Sequence, residues 1–265
     1  MRLKISHSTR YSFDEPVRYG LQQLRKTPKS THGQDVRHWA TEITGGNKEL
    51  GFEDFHNNVV ELVRFGGTDE TLEITCEGEV ELSETHGVVG RHLGPAPLWL
   101  YQRQTPRTKP GAGIRALVKE AATGPDLDRL HALMQAVTAA VAYETGTSQA
   151  DWTAEDALEA GRGVCQDHAH VFISAARELG FPARYVSGYL MLEDRVEQDA
   201  MHAWGEVHVD ALGWVGFDPA NGISPDAKYV RVATGLDYGE AAPVTGTQVG
   251  GGGETLAVSI TVERI

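Results

Sequence analysis

Residues 153–219 tightly limit what this chain can fold into: a short helix, a glycine stop, a second helix opening on a cysteine, then strands. Thr153 is placed to cap a helix over residues 154–160, with Glu155 and Asp156 in the acidic first turn and Gly161 to end it. The next helix begins at Cys165 and runs Ala169, Phe172, Ala176 and Leu179 along one side. Gly180-Phe181-Pro182 stops it, as a C-terminal glycine followed by proline does. Strands are expected over 183–192, 203–209 and 214–217, the last two joined by a tight turn at Ala211-Leu212-Gly213. A helix followed at once by antiparallel strands has to bury its apolar side on their sheet.

The first hundred residues read differently. Period-two alternation covers 3–13, 34–43, 59–65 and 72–82, broken by Gly45-Gly46-Asn47, Asn57-Asn58 and Gly66-Gly67. Such spacing predicts a β-sandwich or barrel-like domain. Leu72, Ile74, Cys76, Val80 and Leu82 share one strand face, so Cys76 reads as a small core residue. Residues 87–113 are rich in proline and glycine and read as a connector. After it comes a helix in which Leu127, Leu130, Leu133, Met134, Val137 and Val141 recur at intervals of three or four, with Asp126 placed to cap it. Further strands are expected at 229–232 and 256–262. The Gly250–Gly253 run between them lacks the ending of a phosphate-binding loop and reads as a flexible turn. The fold class is therefore α+β, divided as 1–100, a connector at 101–114, and a core with C-terminal strands at 115–265.

Cys165 carries the chemistry. Helix N-termini leave N–H groups unpaired and favour a thiolate, the form of cysteine that acts as a nucleophile. Acyl transfer also needs an imidazole to move the thiol proton and a group to orient that imidazole. His202 lies at the start of one strand and Asp218 at the end of its hairpin partner, so both fall at the open end of the hairpin. Packing the cysteine helix across that sheet would bring sulfur to imidazole, with the Cys165 N–H on the oxyanion.

Gly163-Val164-Cys165-Gln166-Asp167, His202-Ala203-Trp204 and Gly213-Trp214-Val215-Gly216-Phe217-Asp218-Pro219 resemble the signature segments of the transglutaminase-like superfamily. The likeness is to its bacterial branch, described as candidate cysteine proteases. It extends to residues 181–189, and Tyr11, Pro16-Val17 and Leu24-Arg25 resemble the N-terminal β region of that branch. The resemblance implies a papain-like core with Cys165, His202 and Asp218 as catalytic triad. It implies hydrolysis of peptides or amides, or transfer of the acyl group of glutamine side chains to amines. It implies no cofactor and no metal, since calcium dependence belongs to other branches. Some transglutaminases use a tryptophan upstream of the cysteine for the oxyanion; Trp152 lies upstream here without a motif that aligns it to that residue, so a side-chain contribution to that site stays open.

Other readings compete. Cys165 and His168 are three apart on a helix, and His202 or His208 could complete a zinc site. A binding scaffold without turnover is a second alternative. Trp204 and Trp214 read most simply as core, Asp167 as a helix cap, His208 as solvent-facing, and His131 as an ordinary helical residue. The expected partner is a peptide or protein substrate, with glutamine among its residues in the transferase case. The net charge of −13 and the absence of basic runs argue against nucleic acid. No stretch suits a signal peptide or a membrane span, and two cysteines are few for a disulfide scaffold, so the cytoplasm is the expected compartment and no membrane partner is expected.

Overall fold

A computed structural model describes residues 1–67, 70–120, 123–149 and 151–265. Six strands open the chain: β1 (Arg2–Phe13), β2 (Val17–Leu24), β3 (Gln34–Thr44), β4 (Gly46–Glu53), β5 (Val59–Phe65) and β6 (Thr71–Leu82). Tyr11, Phe13, Val17, Leu24, Val63, Phe65, Leu72, Ile74 and Cys76 meet in one apolar cluster. They come from two antiparallel sheets, which are therefore stacked as a sandwich. The alternation in β6 sets which side chains face inward: Leu72, Ile74, Cys76, Val80 and Leu82 are all buried.

Residues 88–241 supply the helical core and its sheet, apart from Glu197–Gln198, which pairs with the last strand of the chain in the sandwich. In chain order come β7 (Val88–Gly90), α1 (Ala112–Glu120), α2 (Asp126–Ala140), β8 (Ala142–Tyr143), α3 (Ala154–Ala160), β9 (Arg162–Gly163), α4 (Cys165–Glu178), β10 (Ala183–Leu190), β11 (Glu197–Gln198), β12 (His202–Val209), β13 (Gly213–Phe217), β14 (Tyr229–Gly235) and α5 (Tyr238–Ala241). β7 lies inside the stretch expected as a connector and extends the core sheet, ordered β14-β10-β12-β13-β7. Thr153 caps α3 with a reciprocal pair to Asp156, and Gly161 ends it with φ 64°. α2 differs: Pro125 holds the cap position and Asp126 is the first helical residue, ion-paired to Arg129. α4 is buried on nearly every side, with α1, α2 and α3 on one flank and β10 and β12 on the other. Gly205 of β12 allows that approach, since a Cβ there would stand 2.7 Å from the Phe172 ring. No helix among the described residues is long and apolar enough to cross a membrane.

The end of the chain departs from expectation. β15 (Val244–Gly250) and β16 (Glu254–Arg264) leave the core and complete the sandwich. β16 pairs with β1 from Leu3 opposite Arg264 to Phe13 opposite Glu254, and β15 pairs with β2. The glycine run is thus the turn between these two strands, and the boundary drawn at 115–265 does not hold for its last strands. Alternation shows that a segment is a strand but not which edge it joins. The β15 sequence, Val-Thr-Gly-Thr-Gln-Val-Gly, has too few apolar residues to be read as a strand at all.

Two side-chain amides fasten the sandwich to the core. Asn58 donates to the Thr234 carbonyl at 2.7 Å and accepts from the Thr234 N–H at 2.8 Å. Gln34 does the same at Arg231, at 2.9 and 2.8 Å. Each amide acts as one more peptide unit on the open edge of β14, whose backbone groups would otherwise lack partners. Asn58→Ala should therefore cost about 1–3 kcal/mol, the penalty for leaving buried backbone groups unpaired. Urea denaturation checks this; an unchanged midpoint would mean the pair contributes nothing.

Candidate active site

Three local devices place Cys165. β8 and β9 pair in parallel, Ala142 opposite Arg162 and Tyr143 opposite Gly163, which fixes the segment leading into α4. The Asp167 carboxylate accepts the Val164 N–H at 2.8 Å, so Asp167 caps α4 from its first turn, as expected. His168 places one ring nitrogen 2.8 Å from the Val164 carbonyl and the other 2.8 Å from the Val141 carbonyl. Cys165 is the first residue of α4 and is half-buried, whereas Cys76 is sealed in the sandwich; both are unpaired. Trp152 packs against the same apolar cluster as Cys165.

The β12–β13 hairpin places the other two groups. Its turn carries Ala211 at φ 67° and Gly213 at φ 79°. The ladder runs from Val209 opposite Gly213 to Gly205 opposite Phe217, so His202 and Asp218 fall just past its open end. There His202 Nε2 lies 2.7 Å from Asp218 Oδ2. Nδ1 is the ring nitrogen that Asp218 does not engage, and the Cys165 thiol is near enough to raise the ring's pKa. The expected triad residues are thus brought together.

Asp218 is fully buried and well supplied with donors. Besides His202, its Oδ2 accepts from the Tyr229 hydroxyl and from Asn221 Nδ2, each at 2.7 Å. Its Oδ1 accepts from the backbone N–H groups of Ala220 at 3.0 Å and Asn221 at 3.3 Å. Burial alone would raise the Asp218 pKa, but the hydrogen bonds and charge of His202, with Tyr229 and Asn221, hold it below the usual carboxylate value. Burial would likewise lower that of His202. The hydrogen bonds and charges of Asp218 and Cys165 outweigh it and lift the imidazole to about 10. Tyr229 is pushed well above its ordinary value, by burial and then by Asp218, and so remains a donor.

Tyr229, Asn221 and Tyr143 also belong to the site, although they are not singled out by the sequence motifs. Tyr229 reaches Asp218 from another strand. Asn221 follows Asp218-Pro219-Ala220 in a turn closed by backbone pairing of Asp218 with Ile223, and that Asp-Pro turn was the one available signal. Tyr143 stands half-exposed beside the thiol, its pKa raised by burial and by the nearby Cys165 charge.

The zinc alternative loses its ligands. Both ring nitrogens of His168 face backbone carbonyls. His208 lies farther along β12, half-buried edge-on against Trp214 rather than facing solvent. Among the described residues no group of three or more His, Cys, Asp and Glu side chains could hold a metal ion. Trp204 and Trp214 are buried, and His131 packs edge-on against Phe217. The arrangement supplies what acyl transfer needs: a thiol, an oriented imidazole and the free N–H groups of a helix N-terminus.

Sequence comparison with known families matches residues 115–219 to "Transglutaminase-like superfamily" and residues 3–81 to "Bacterial transglutaminase-like N-terminal region". An uncharacterized protein of Mycobacterium leprae (strain TN) is 28% identical over 100% of this chain and 99% of its own length. An uncharacterized protein of Mycobacterium tuberculosis (strain H37Rv) is 26% identical over 92% of this chain and 87% of its own length. Among solved structures, "a Putative Cysteine Protease from Cytophaga hutchinsonii" superposes with TM-score 0.79 at 19% identity, covering 99% of this chain and 90% of that one. That likeness shows a shared fold.

Because the raised value belongs to the folded protein, His202 stabilises the fold fully below its ordinary pKa of 6.5 and loses that contribution as pH rises through about 10. In Asp218→Asn the ring should release its proton at lower pH than in the parent protein. Titration of the His202 ring by NMR checks this; an unmoved midpoint would contradict the role given to Asp218.

Proposed function

Since the chain belongs to the transglutaminase-like superfamily, we propose that it is a cysteine-dependent amide or peptide hydrolase working through a thioester on Cys165, His202 and Asp218. The observation that carries this reading is the 2.7 Å contact between His202 and a buried, ionised Asp218, with Cys165 acting on the same ring.

Cys165 Sγ attacks the carbonyl carbon of the substrate amide, and the carbonyl oxygen takes up negative charge. The Cys165 N–H, at the start of α4, points at that oxygen. His202 holds its proton at neutral pH and delivers it to the leaving amine. The same ring then takes a proton from water, which attacks the thioester and frees the carboxylic acid. Asp218 keeps the imidazole oriented and offsets its charge throughout. Tyr143, exposed at the flank of the thiol, offers an aromatic wall for the substrate chain.

Hydrolysis is favoured over transfer to an amine, in keeping with the name carried by the fold neighbour. The substrate in this reading is a peptide or protein, and the unpaired cysteines suit a reducing, cytoplasmic setting. A peptide library containing glutamine, incubated with and without a primary amine and read by mass spectrometry, separates cleavage, deamidation and cross-linking. Products that require the amine would replace hydrolase with transferase.

Iodoacetamide should label Cys165 and leave Cys76 untouched in the folded protein. Cys165→Ala should remove that labelling and all turnover while the unfolding midpoint stays nearly unchanged. Asp218→Asn should slow turnover by about 10⁴-fold. Near-parental rates in either variant would refute the mechanism.

A further inference from the structure

A cavity of about 410 Å³ lies between the sandwich loops and the face of the core sheet turned away from α4. Its lining contains three arginines, Arg91, Arg184 and Arg231, and Lys29, which is ion-paired to Glu53, and it contains no aspartate or glutamate. In a chain of net charge −13, such a concentration of one sign is a local arrangement and not a reflection of composition.

The charges beneath this cavity do not balance. Glu206 is fully buried on β12 and serves two guanidinium groups: Arg184 Nε at 2.7 Å and Arg231 Nε at 2.8 Å. Arg184 is itself buried, and Arg231 leaves 18% of its side chain exposed. Two cations thus share one anion in a poorly solvated place, where an uncompensated charge is costly. The Arg184 pKa responds accordingly, lowered to about 10 by burial first and with the Arg231 charge adding to the effect against the pull of Glu206. The terminal nitrogens of Arg231 have no hydrogen-bond partner among the described residues. Arg91, on the exposed segment after β7, has no ion pair or hydrogen bond among them either. Leu93 beside it is 65% exposed and offers an apolar rim.

We propose that this cavity binds a small oxyanion ligand, carrying carboxylate or phosphate groups, between Arg231 and Arg91. Planar guanidinium forks match both kinds of oxyanion, and the ligand supplies the missing counter-charge to the Arg184–Glu206–Arg231 group. Neither Cys165, His202 nor Asp218 lines the cavity, so this site is separate from the candidate catalytic groups. An adjoining cleft shares His32 and Arg231 with it and runs to Tyr229, the donor to Asp218.

The test is calorimetric titration of the full chain with inorganic phosphate and, separately, with citrate, at ionic strength held constant by chloride. It is run with Cys165 free and with Cys165 blocked by iodoacetamide, so its outcome does not depend on any activity. Saturable one-site binding is expected, equal in free and blocked protein, and weakened roughly tenfold or more by Arg91→Glu. That variant leaves the buried Glu206 pairs intact. Response to phosphate alone, citrate alone or both supports the site and identifies the oxyanion. Absence of saturation with either, loss of binding on blocking Cys165, or unchanged affinity in Arg91→Glu overturns it.

Discussion

The buried Asp218 carboxylate is the interaction around which the rest of the site is built. A fully buried negative charge is costly unless nearly every lone pair finds a donor. Here His202, Tyr229, Asn221 and the backbone of Ala220 and Asn221 supply them, and those groups come from β12, β14 and the turn after β13. Satisfying one carboxylate thus fixes the relative positions of two strands and a turn. α2 braces the same turn from outside: Thr138 donates to the Pro219 carbonyl at 2.7 Å and Gln135 to the Gly222 carbonyl at 2.8 Å. The carboxylate stays ionised because of its donors, and the imidazole keeps its proton because of the carboxylate.

The sandwich is bound into the molecule more closely than a separate module would be. Its sheets are completed by the last strands of the chain, and its loops reach the β14 edge through Gln34 and Asn58. His56 adds a third link, placing one ring nitrogen 3.0 Å from the Tyr101 hydroxyl and the other 2.7 Å from Glu240. β14 carries Tyr229 toward Asp218 at one end and accepts the amide clamps farther along. The same strand therefore connects the sandwich to the donor set of the candidate site. Arg231 belongs to this strand as well, which is why the cationic cavity sits where the two parts of the molecule meet.

Much of this is legible in the sequence. The cap at Thr153, the acidic first turn of α3, the glycine stop at Gly161, the cysteine in the first turn of α4 and the tight turn at Ala211-Leu212-Gly213 all depend on contacts within a few residues. His202 and Asp218 could be placed side by side because a hairpin with a known turn fixes its own register. Glu206 could not be read. It alternates with His208 along β12 and looks like a solvent-facing carboxylate, yet it is buried against arginines from β10 and β14. Nothing local distinguishes a glutamate in water from one held by two distant guanidinium groups.

The sequence by itself determined the helices and hairpin around Cys165, the inward face of strands such as β6, and which thiol, imidazole and carboxylate could meet. These follow from short-range backbone preferences and from periodicity, both written in neighbouring residues. Tertiary structure alone decided that the chain's final strands return to the N-terminal sheets, that Tyr229 and Asn221 support Asp218, and that cations converge on one cavity. Those outcomes join residues far apart in the chain, and they are set by which surfaces can be buried together with every polar group paired.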